Sequence, residues 1–413
     1  MSLSDQIFEQ LPQWDQDKVR NARVLVVGAG ALGNEVLKNL ALLNVRQIAI
    51  MDFDHVESGN LSRSVLYRAS DAMQGRPKAI AAAERLLEIN HDLEILVQLG
   101  DVAIDLSLGL LAHVDVIIGC VDNRLARLYL NRLAWRAGKP WVDGGILNLS
   151  GQVAAYVPGQ SCYECGLSSM AWADIRQRLG CTDMARRYAM SGRATTTPIA
   201  ASIIGAIQVQ EALKFVIQQE NHSLAGRMFS YEGSQNHAAY YEQRPLKSEC
   251  ESHFPALETH STPLSANTTV DEALTWFKSE LRMTKPCILL DHSVATRLTS
   301  MQSGRGMDVI LPLPHFSDRL AKEFEAELGL QIAVPKGALI EELREGDGFG
   351  DRRLSDFGIP VGHVLRIGRG EERKWIALDG DAPLFAFGKG IKHLPHRWWE
   401  FGLVEIQQKR GND

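Results

Sequence analysis

Three glycines, Gly28, Gly30 and Gly33 in the run Gly28-Ala-Gly-Ala-Leu-Gly33, have the spacing at which a backbone can cradle a phosphate. The first permits a tight turn, the second admits a phosphate to the main chain, and the third lets a helix meet a strand. Asp52 stands 19 residues after Gly33, where a carboxylate can accept both hydroxyls of a ribose. These four residues alone also fit an ordinary dinucleotide dehydrogenase. The residues that follow shift the reading. Asn60-Leu-Ser-Arg63 begins 8 residues after Asp52, Gly75-Arg-Pro-Lys78 comes next, and Cys120-Val-Asp122-Asn123 ends a later apolar run. Hydride transfer has no need of two cations and a second carboxylate around the phosphates. Adenylation does, because charge gathers on the α-phosphate and the leaving pyrophosphate, and a magnesium ion must be held by a carboxylate. Arg63 and Lys78 would then neutralise phosphoryl oxygens while Asp122 holds magnesium.

A second set of residues has metal chemistry. Cys162-Tyr-Glu-Cys165 and Cys250-Glu-Ser-His253 are two pairs, each with a two-residue gap. Together they offer four ligands that could surround a zinc ion tetrahedrally as Cys3His, pinning two distant parts of the chain. A closed site of four protein ligands leaves no position for a catalytic water, so the expected role is structural.

The elements that would position these residues are legible from apolar periodicity. Arg23-Val-Leu-Val-Val27 reads as a strand running into the glycine turn, and Val36, Leu37, Leu40 and Leu43 mark the helix after it. Gln47 to Asp52 and Val114 to Cys120 read as buried strands. Arg76 to Ile89 and Leu125 to Ala137 read as helices, Gly151 to Pro158 as a further strand, and Pro198 to Val216 as a long buried apolar helix. Alternation of this kind predicts an α/β fold with a doubly wound, mostly parallel sheet of the Rossmann type. Residues 254–268 lose periodicity and gather Pro, Ser, Thr and Asn, as a linker does. Residues 269–413 then read as a smaller α+β domain: helices at Val270 to Leu281 and Asp318 to Leu328, and strands at Cys287 to Asp291, Met307 to Leu313 and near Ile332, Val364 and Trp375.

The glycine loop, Asp52 at a strand end, Asn60, Arg63, Lys78 and the Asp122-Asn123 pair resemble, in order and spacing, the ATP site of ThiF/MoeB-type adenylyltransferases and ubiquitin-activating enzymes. The resemblance covers residues 20–253 and extends to the zinc pairs, where the family commonly has four cysteines and this chain has His253. It implies that Asp52 binds ribose, that Asn60, Arg63 and Lys78 contact phosphates, and that Asp122 serves magnesium beside Asn123. It implies a substrate too: the C-terminal carboxylate of a ubiquitin-like or sulfur-carrier protein ending in Gly-Gly. A homodimer is expected, with a conjugating enzyme or a sulfurtransferase as a further partner. In relatives, a cysteine between the C-x-x-C and the long helix takes part in sulfur or thioester chemistry; here that cysteine is Cys181, with Arg186 and Arg187 nearby to favour its thiolate. Residues 269–291 faintly resemble the start of the ubiquitin-fold domain with which activating enzymes recruit conjugating enzymes. The sequence departs from the family at Ser4-Asp-Gln-Ile7, where relatives carry an arginine that reaches into the partner's ATP site; no arginine precedes Arg20 here.

Composition narrows the classes. The chain has 413 residues, 45% hydrophobic and 23% charged, with a net charge of −6 and no block of like charge, so no extended nucleic-acid surface is expected. A polar, acidic start and no membrane-spanning run predict a cytosolic protein. Six cysteines with one C-x-x-C fit metal or thiol chemistry rather than a disulfide scaffold. Three other readings stay open: an adenylating enzyme for a peptide or a tRNA nucleoside, a dehydrogenase that leaves Arg63, Lys78 and Asp122 without a role, and a non-catalytic scaffold of the same fold.

Overall fold

Arg23–Val27 (β1) is a strand because four successive apolar side chains are all buried, as a strand covered on both faces requires. The same holds for Gln47–Met51 (β2), and Glu94–Gln98 (β3) and Val116–Gly119 (β4) each bury three successive apolar side chains. They are seen in a computed structural model that describes residues 15–179, 195–253, 258–313, 316, 318–368 and 373–395. Two units are present. The first takes in residues up to 178, those from 195 to 253 and the segment Phe385–Leu394; the second takes in residues 258 to 384.

In the first unit the helices are α1 (Gln16–Asn21), α2 (Ala31–Leu42), α3 (Ala69–Gln74), α4 (Lys78–Ile89), α5 (Leu108–Ala112), α6 (Arg124–Arg136), α7 (Ser169–Leu179) and α8 (Pro198–Val216). The later strands are β5 (Trp141–Leu147), β6 (Ser150–Tyr156), β7 (Arg227–Glu232) and β8 (His237–Glu242). The second unit contributes β9 (Thr259–Thr262), α9 (Val270–Glu280), β10 (Cys287–Ser300), β11 (Gly306–Pro312), α10 (Asp318–Leu328), β12 (Ile332–Ala333), β13 (Leu339–Arg344), β14 (Val364–Ile367) and β15 (Lys374–Leu378). Last comes β16 (Gly390–His393).

The first unit is a nine-stranded sheet in the order β16-β3-β2-β1-β4-β5-β6-β7-β8. Pairing is parallel from β16 to β5 and antiparallel from β5 to β8. From β1 the chain moves to β2 on one side and later to β4 on the other. The carboxyl ends of β1 and β4 therefore flank the point where strand order reverses, the place where open α/β sheets bind ligands. Among the described residues α8 alone is long and apolar enough to cross a membrane by length and composition. It instead buries Ala200, Ala201, Ile204, Val209, Ala212 and Leu213, and Thr197 caps its start by accepting from Ala200 N. The sequence predicts this helix with the same limits, but only about half of it is buried, and Ile199 is exposed.

The second unit has a seven-stranded sheet in which β10 pairs with β11, β12, β13 and β14, and β15 pairs in parallel with β9. Val270, Leu274 and Phe277 of α9 pack with Ile288, Val294, Leu343 and Ile376 in its core. Buried Asp381 fixes the unit's beginning by accepting from Ala266 N and Gly362 N, each at 2.9 Å.

Two boundaries differ from the sequence reading. The stretch 254–268, read as a linker, contains β9, whose four residues Thr-His-Ser-Thr show no apolar alternation and gain their strand geometry from pairing with β15. Residues 269–413 do not form one domain, because β16 joins the first sheet beside β3, with Phe385 and Leu394 each 1% exposed. The strand near Cys287 also runs on to Ser300, past a register shift between Leu289 and Val294.

Candidate functional site

The glycine loop is built by exclusion of side chains. Gly28 has φ +96°, and a Cβ there would lie 2.6 Å from the carbonyl oxygen of Cys120; a Cβ at Gly33 would collide with the carbonyl of Gly28. Strand β4 and helix α2 can thus close on the loop only where side chains are missing. Gly30 is the N-cap of α2 with no side-chain cap, so the first N–H groups of the helix are left for a ligand.

Polar residues then fix the loop from three sides. Asp52, just past β2, accepts from Ala29 N at 2.6 Å and from Asp54 N at 2.7 Å. Buried Asn34 donates to Ala29 O at 2.7 Å and Gly30 O at 3.0 Å, and accepts from Leu66 N at 2.8 Å. Tyr67 donates its hydroxyl to Ala29 O. Sequence reasoning missed Asn34 and Tyr67. The signal for Asn34 was an amide inside the first turn of a helix, where asparagine is unfavourable unless its side chain has a backbone partner.

Lys78, the first residue of α4, is nearly buried and donates to Asp54 at 2.7 Å. Burial by itself would favour the neutral amine, but Asp52, Asp54 and Asp122 outweigh it and raise the lysine above its ordinary value, so the ammonium is kept. Burial pushes the Asp52 carboxyl up to about 6, against the pull of Lys78 and with help from Asp54. Asp122 lies exposed beyond β4 and accepts from the Asn123 amide at 3.1 Å. Asn123 caps α6 by accepting from Ala126 N at 2.8 Å, which accounts for its type and place without a ligand.

Lys78, Asp52 and Asp122 are therefore brought together at the end of the glycine loop. Asn60 and Arg63 lie in the segment between β2 and α3 with local partners: Asn60 accepts from Glu57 N at 2.9 Å, and Arg63 donates to Gly59 O at 2.7 Å. Cys181, with Arg186 and Arg187, lies outside the described residues. Cys287 is a buried core thiol and Cys120 is half-buried against the core; burial pushes the Cys120 thiol well above its ordinary value, which disfavours the thiolate.

Behind the site, buried Gln208 of α8 donates to Gly119 O at 2.9 Å and to Val142 O at 3.3 Å, bridging β4 and β5. Arg127 of α6 pairs with Asp143 of β5 at 2.9 and 3.0 Å and donates to Gly144 O at 3.0 Å. Neither residue was singled out from sequence, although a glutamine between Ile207 and Val209 on a largely apolar helix is a visible sign of a buried polar task.

The second set of residues converges. The ligand atoms of Cys162, Cys165, Cys250 and His253 all lie within 4.8 Å of one another. Tetrahedral thiolate and imidazole bonds of about 2.3 and 2.0 Å require edges of roughly 3.8 Å between sulfurs and 3.6 Å between sulfur and nitrogen. Here Cys162 Sγ is 3.8 Å from Cys165 Sγ and 3.7 Å from Cys250 Sγ, and Cys165 Sγ is 3.6 Å from His253 Nε2. The donors fit a metal ion, and such a set could bind zinc. The surroundings hold the ligands: His253 stacks on Trp135 with ring centres 4.1 Å apart, Lys247 N donates to Cys165 Sγ at 3.4 Å, and Arg132 clamps Glu164 at 3.0 and 3.1 Å and reaches Glu251 at 2.6 Å.

With the glycine loop, the carboxylates around Lys78 and the four-donor cluster in one unit, comparison with known proteins becomes informative. The model of the ThiF family matches residues 3–252. The chain belongs to the ThiF family. Among this ThiF-family chain's relatives, the adenylyltransferase and sulfurtransferase MOCS3 of Anopheles gambiae is 31% identical over 245 residues, 59% of this chain and 52% of that protein. The chain thus spans about half the length of that relative. The molybdopterin-synthase adenylyltransferase of Escherichia coli (strain K12) is 31% identical over 204 residues, 49% of this chain and 75% of that protein. A crystal structure of E. coli MccB with MccA aligns over 58% of this chain and 68% of its own at a TM-score of 0.47 and 22% identity.

The raised Asp52 carboxyl has a consequence for stability. A folded value near 6, above the unfolded 3.8, means that the fold gains from this group below about pH 4 and loses that gain as pH rises through 6. The difference in unfolding free energy between wild type and Asp52→Asn should move in favour of wild type by roughly 1–2 kcal/mol from pH 8 to pH 4, after a discount for solvent screening. Urea unfolding of both proteins at the two pH values checks this. No change, or a change of opposite sign, would mean that Asp52 titrates in its ordinary range.

Proposed function

We propose that this chain adenylates the C-terminal carboxylate of a ubiquitin-like or sulfur-carrier protein ending in Gly-Gly, with ATP bound at the glycine loop. The observation that carries the reading is Lys78: a nearly buried ammonium placed by a helix start among Asp52, Asp54 and Asp122, beside a glycine loop that runs into the start of α2, where Gly30 supplies no side-chain cap. An ammonium so placed can follow charge as it moves from the α-phosphate to the leaving pyrophosphate. Asp52 would accept the ribose hydroxyls, and Asn60 and Arg63 would turn from their local partners to the phosphates. Asp122 suits magnesium because it is an exposed carboxylate with room for the metal's waters, and a magnesium ion there would neutralise phosphate charge. Relatives named as adenylyltransferases support the reaction class.

The remaining assignments extend this reading. Cys181 would attack the acyl-adenylate, forming a thioester and releasing AMP and a proton. Zinc would occupy the Cys3His cluster and tie the segment after β8 to the segment after β6. The enzyme would act in the cytoplasm as a homodimer, with the second unit as a partner-binding module for a conjugating enzyme or sulfurtransferase. A basic residue other than an N-terminal arginine would then complete the ATP site.

ATP–pyrophosphate exchange with Gly-Gly carrier proteins tests the reaction. Asp122→Ala should lower exchange at least about a hundred-fold without changing the melting temperature, because an exposed side chain is lost. Cys181→Ala should retain exchange and lose any reductant-sensitive adduct with the carrier. Wild-type exchange in Asp122→Ala would remove the magnesium assignment, and an adduct on Cys181→Ala would move the thioester elsewhere.

For the cluster, elemental analysis of protein purified without added metal should give one zinc per chain. Cys250→Ala should lower the melting temperature, since ligation contributes folding free energy. Protein without zinc, or a variant as stable as wild type, would count against a structural metal.

A further inference from the structure

Lys78 is placed where a cation is electrostatically out of favour, at the first residue of helix α4, whose N-terminal dipole attracts negative charge. Its neighbour Asp54 corrects this. The pairing is set by the backbone: Lys78 N donates to Asp54 O at 2.8 Å, Val56 N donates to Arg76 O at 2.8 Å, and His55 bridges Pro77 in antiparallel register. Asp54 and Lys78 are thus held opposite each other, and their side chains meet at 2.7 Å. The two ends of the pair differ in freedom. The Lys78 side chain is 11% exposed and the Asp54 side chain 51%.

Resting on the nucleotide reading above, we propose that Asp54 is a displaceable counter-ion for Lys78, a positioning residue that holds the ammonium until nucleotide arrives and then yields it to a phosphate oxygen. The asymmetry in exposure gives the direction of exchange: the carboxylate can turn to water, whereas the lysine is held in place by its surroundings. An ion pair with one partner half in solvent is weak, while a phosphate at a helix N-terminus is a strong acceptor. Asp52 cannot take the same part, because Ala29 N and Asp54 N hold its carboxylate in place and keep it from turning away, although each oxygen keeps a lone pair for a ribose hydroxyl. Asp122 lies exposed beyond β4, where its carboxylate accepts from the Asn123 amide and would serve metal. Three carboxylates near one lysine therefore divide into loop anchor, metal ligand and counter-ion.

The prediction runs against the usual cost of deleting an active-site charge. Asp54 competes with nucleotide for Lys78, so Asp54→Asn should bind magnesium–ATP roughly two- to five-fold more tightly than wild type in calorimetric titration. Asp54→Glu, which restores the charge, should return to the wild-type value. Competitive acetylation read by mass spectrometry gives a second measure: without nucleotide, Lys78 should be acetylated faster in Asp54→Asn than in wild type, and with saturating magnesium–ATP both should be protected alike. Circular dichroism reports whether Asp54→Asn is folded, and Asp54→Ser replaces it if it is not. Equal or weaker ATP binding by the charge-free variant, with wild type binding ATP normally, would overturn the counter-ion role. A wild type that binds no ATP would instead overturn the nucleotide reading, while acetylation would still report whether Asp54 holds the lysine.

Discussion

The hydrogen bond from Ala29 N to the Asp52 carboxylate is the contact on which the first unit's chemistry depends. It joins the turn after β1 to the exit of β2, and the other carboxylate oxygen sets the next step of the chain at Asp54. Asp54 in turn fixes where α4 begins and where Lys78 stands. One carboxylate thus links loop shape, the start of a helix and the position of a cation. Its own burial is unfavourable for a charge, which is why its carboxyl is pushed up to about 6.

The remaining constraints protect this arrangement. Asn34 and Tyr67 hold the Ala29 carbonyl while Asp52 holds the Ala29 N–H, so the loop is fixed on both sides. Gln208 joins β4 to β5 from beneath, and the Arg127–Asp143 pair ties α6 to β5, so the strand ends that carry Asp122 are fixed from within. At the other end of α6, Trp135 and Arg132 brace the Cys/His cluster through His253, Glu164 and Glu251. Both ends of one helix are therefore employed, its start by the Asp122-Asn123 turn and its end by the cluster.

What could be read from sequence follows the kind of signal each element leaves. Buried parallel strands are continuous apolar runs, so β1, β2 and β4 were visible, and the capped, apolar α8 was visible with its limits at Pro198 and Val216. The glycine loop, the grouping of Asp52, Lys78 and Asp122, and the Cys/His cluster were legible because distinctive residue types stand there at distinctive spacings. Strands β9 and β16 were not, since Thr-His-Ser-Thr and Gly-Ile-Lys-His carry no period-two pattern and owe their conformation to neighbours far off in the chain. Asn34, Tyr67 and Gln208 escaped for a related reason: their partners are backbone atoms, which a sequence does not display.

The central claim is that this loop receives a nucleoside triphosphate rather than a dinucleotide, and differential thermal protection tests it most directly. Melting is followed with magnesium–ATP and, separately, with NAD, each raised toward saturation. A ligand that binds only the folded chain stabilises it by about 2.7 kcal/mol at a hundred times its Kd. The account predicts that magnesium–ATP raises the melting temperature and that NAD leaves it where it was. Protection by NAD without protection by magnesium–ATP would contradict it and return the site to a hydride-transfer enzyme.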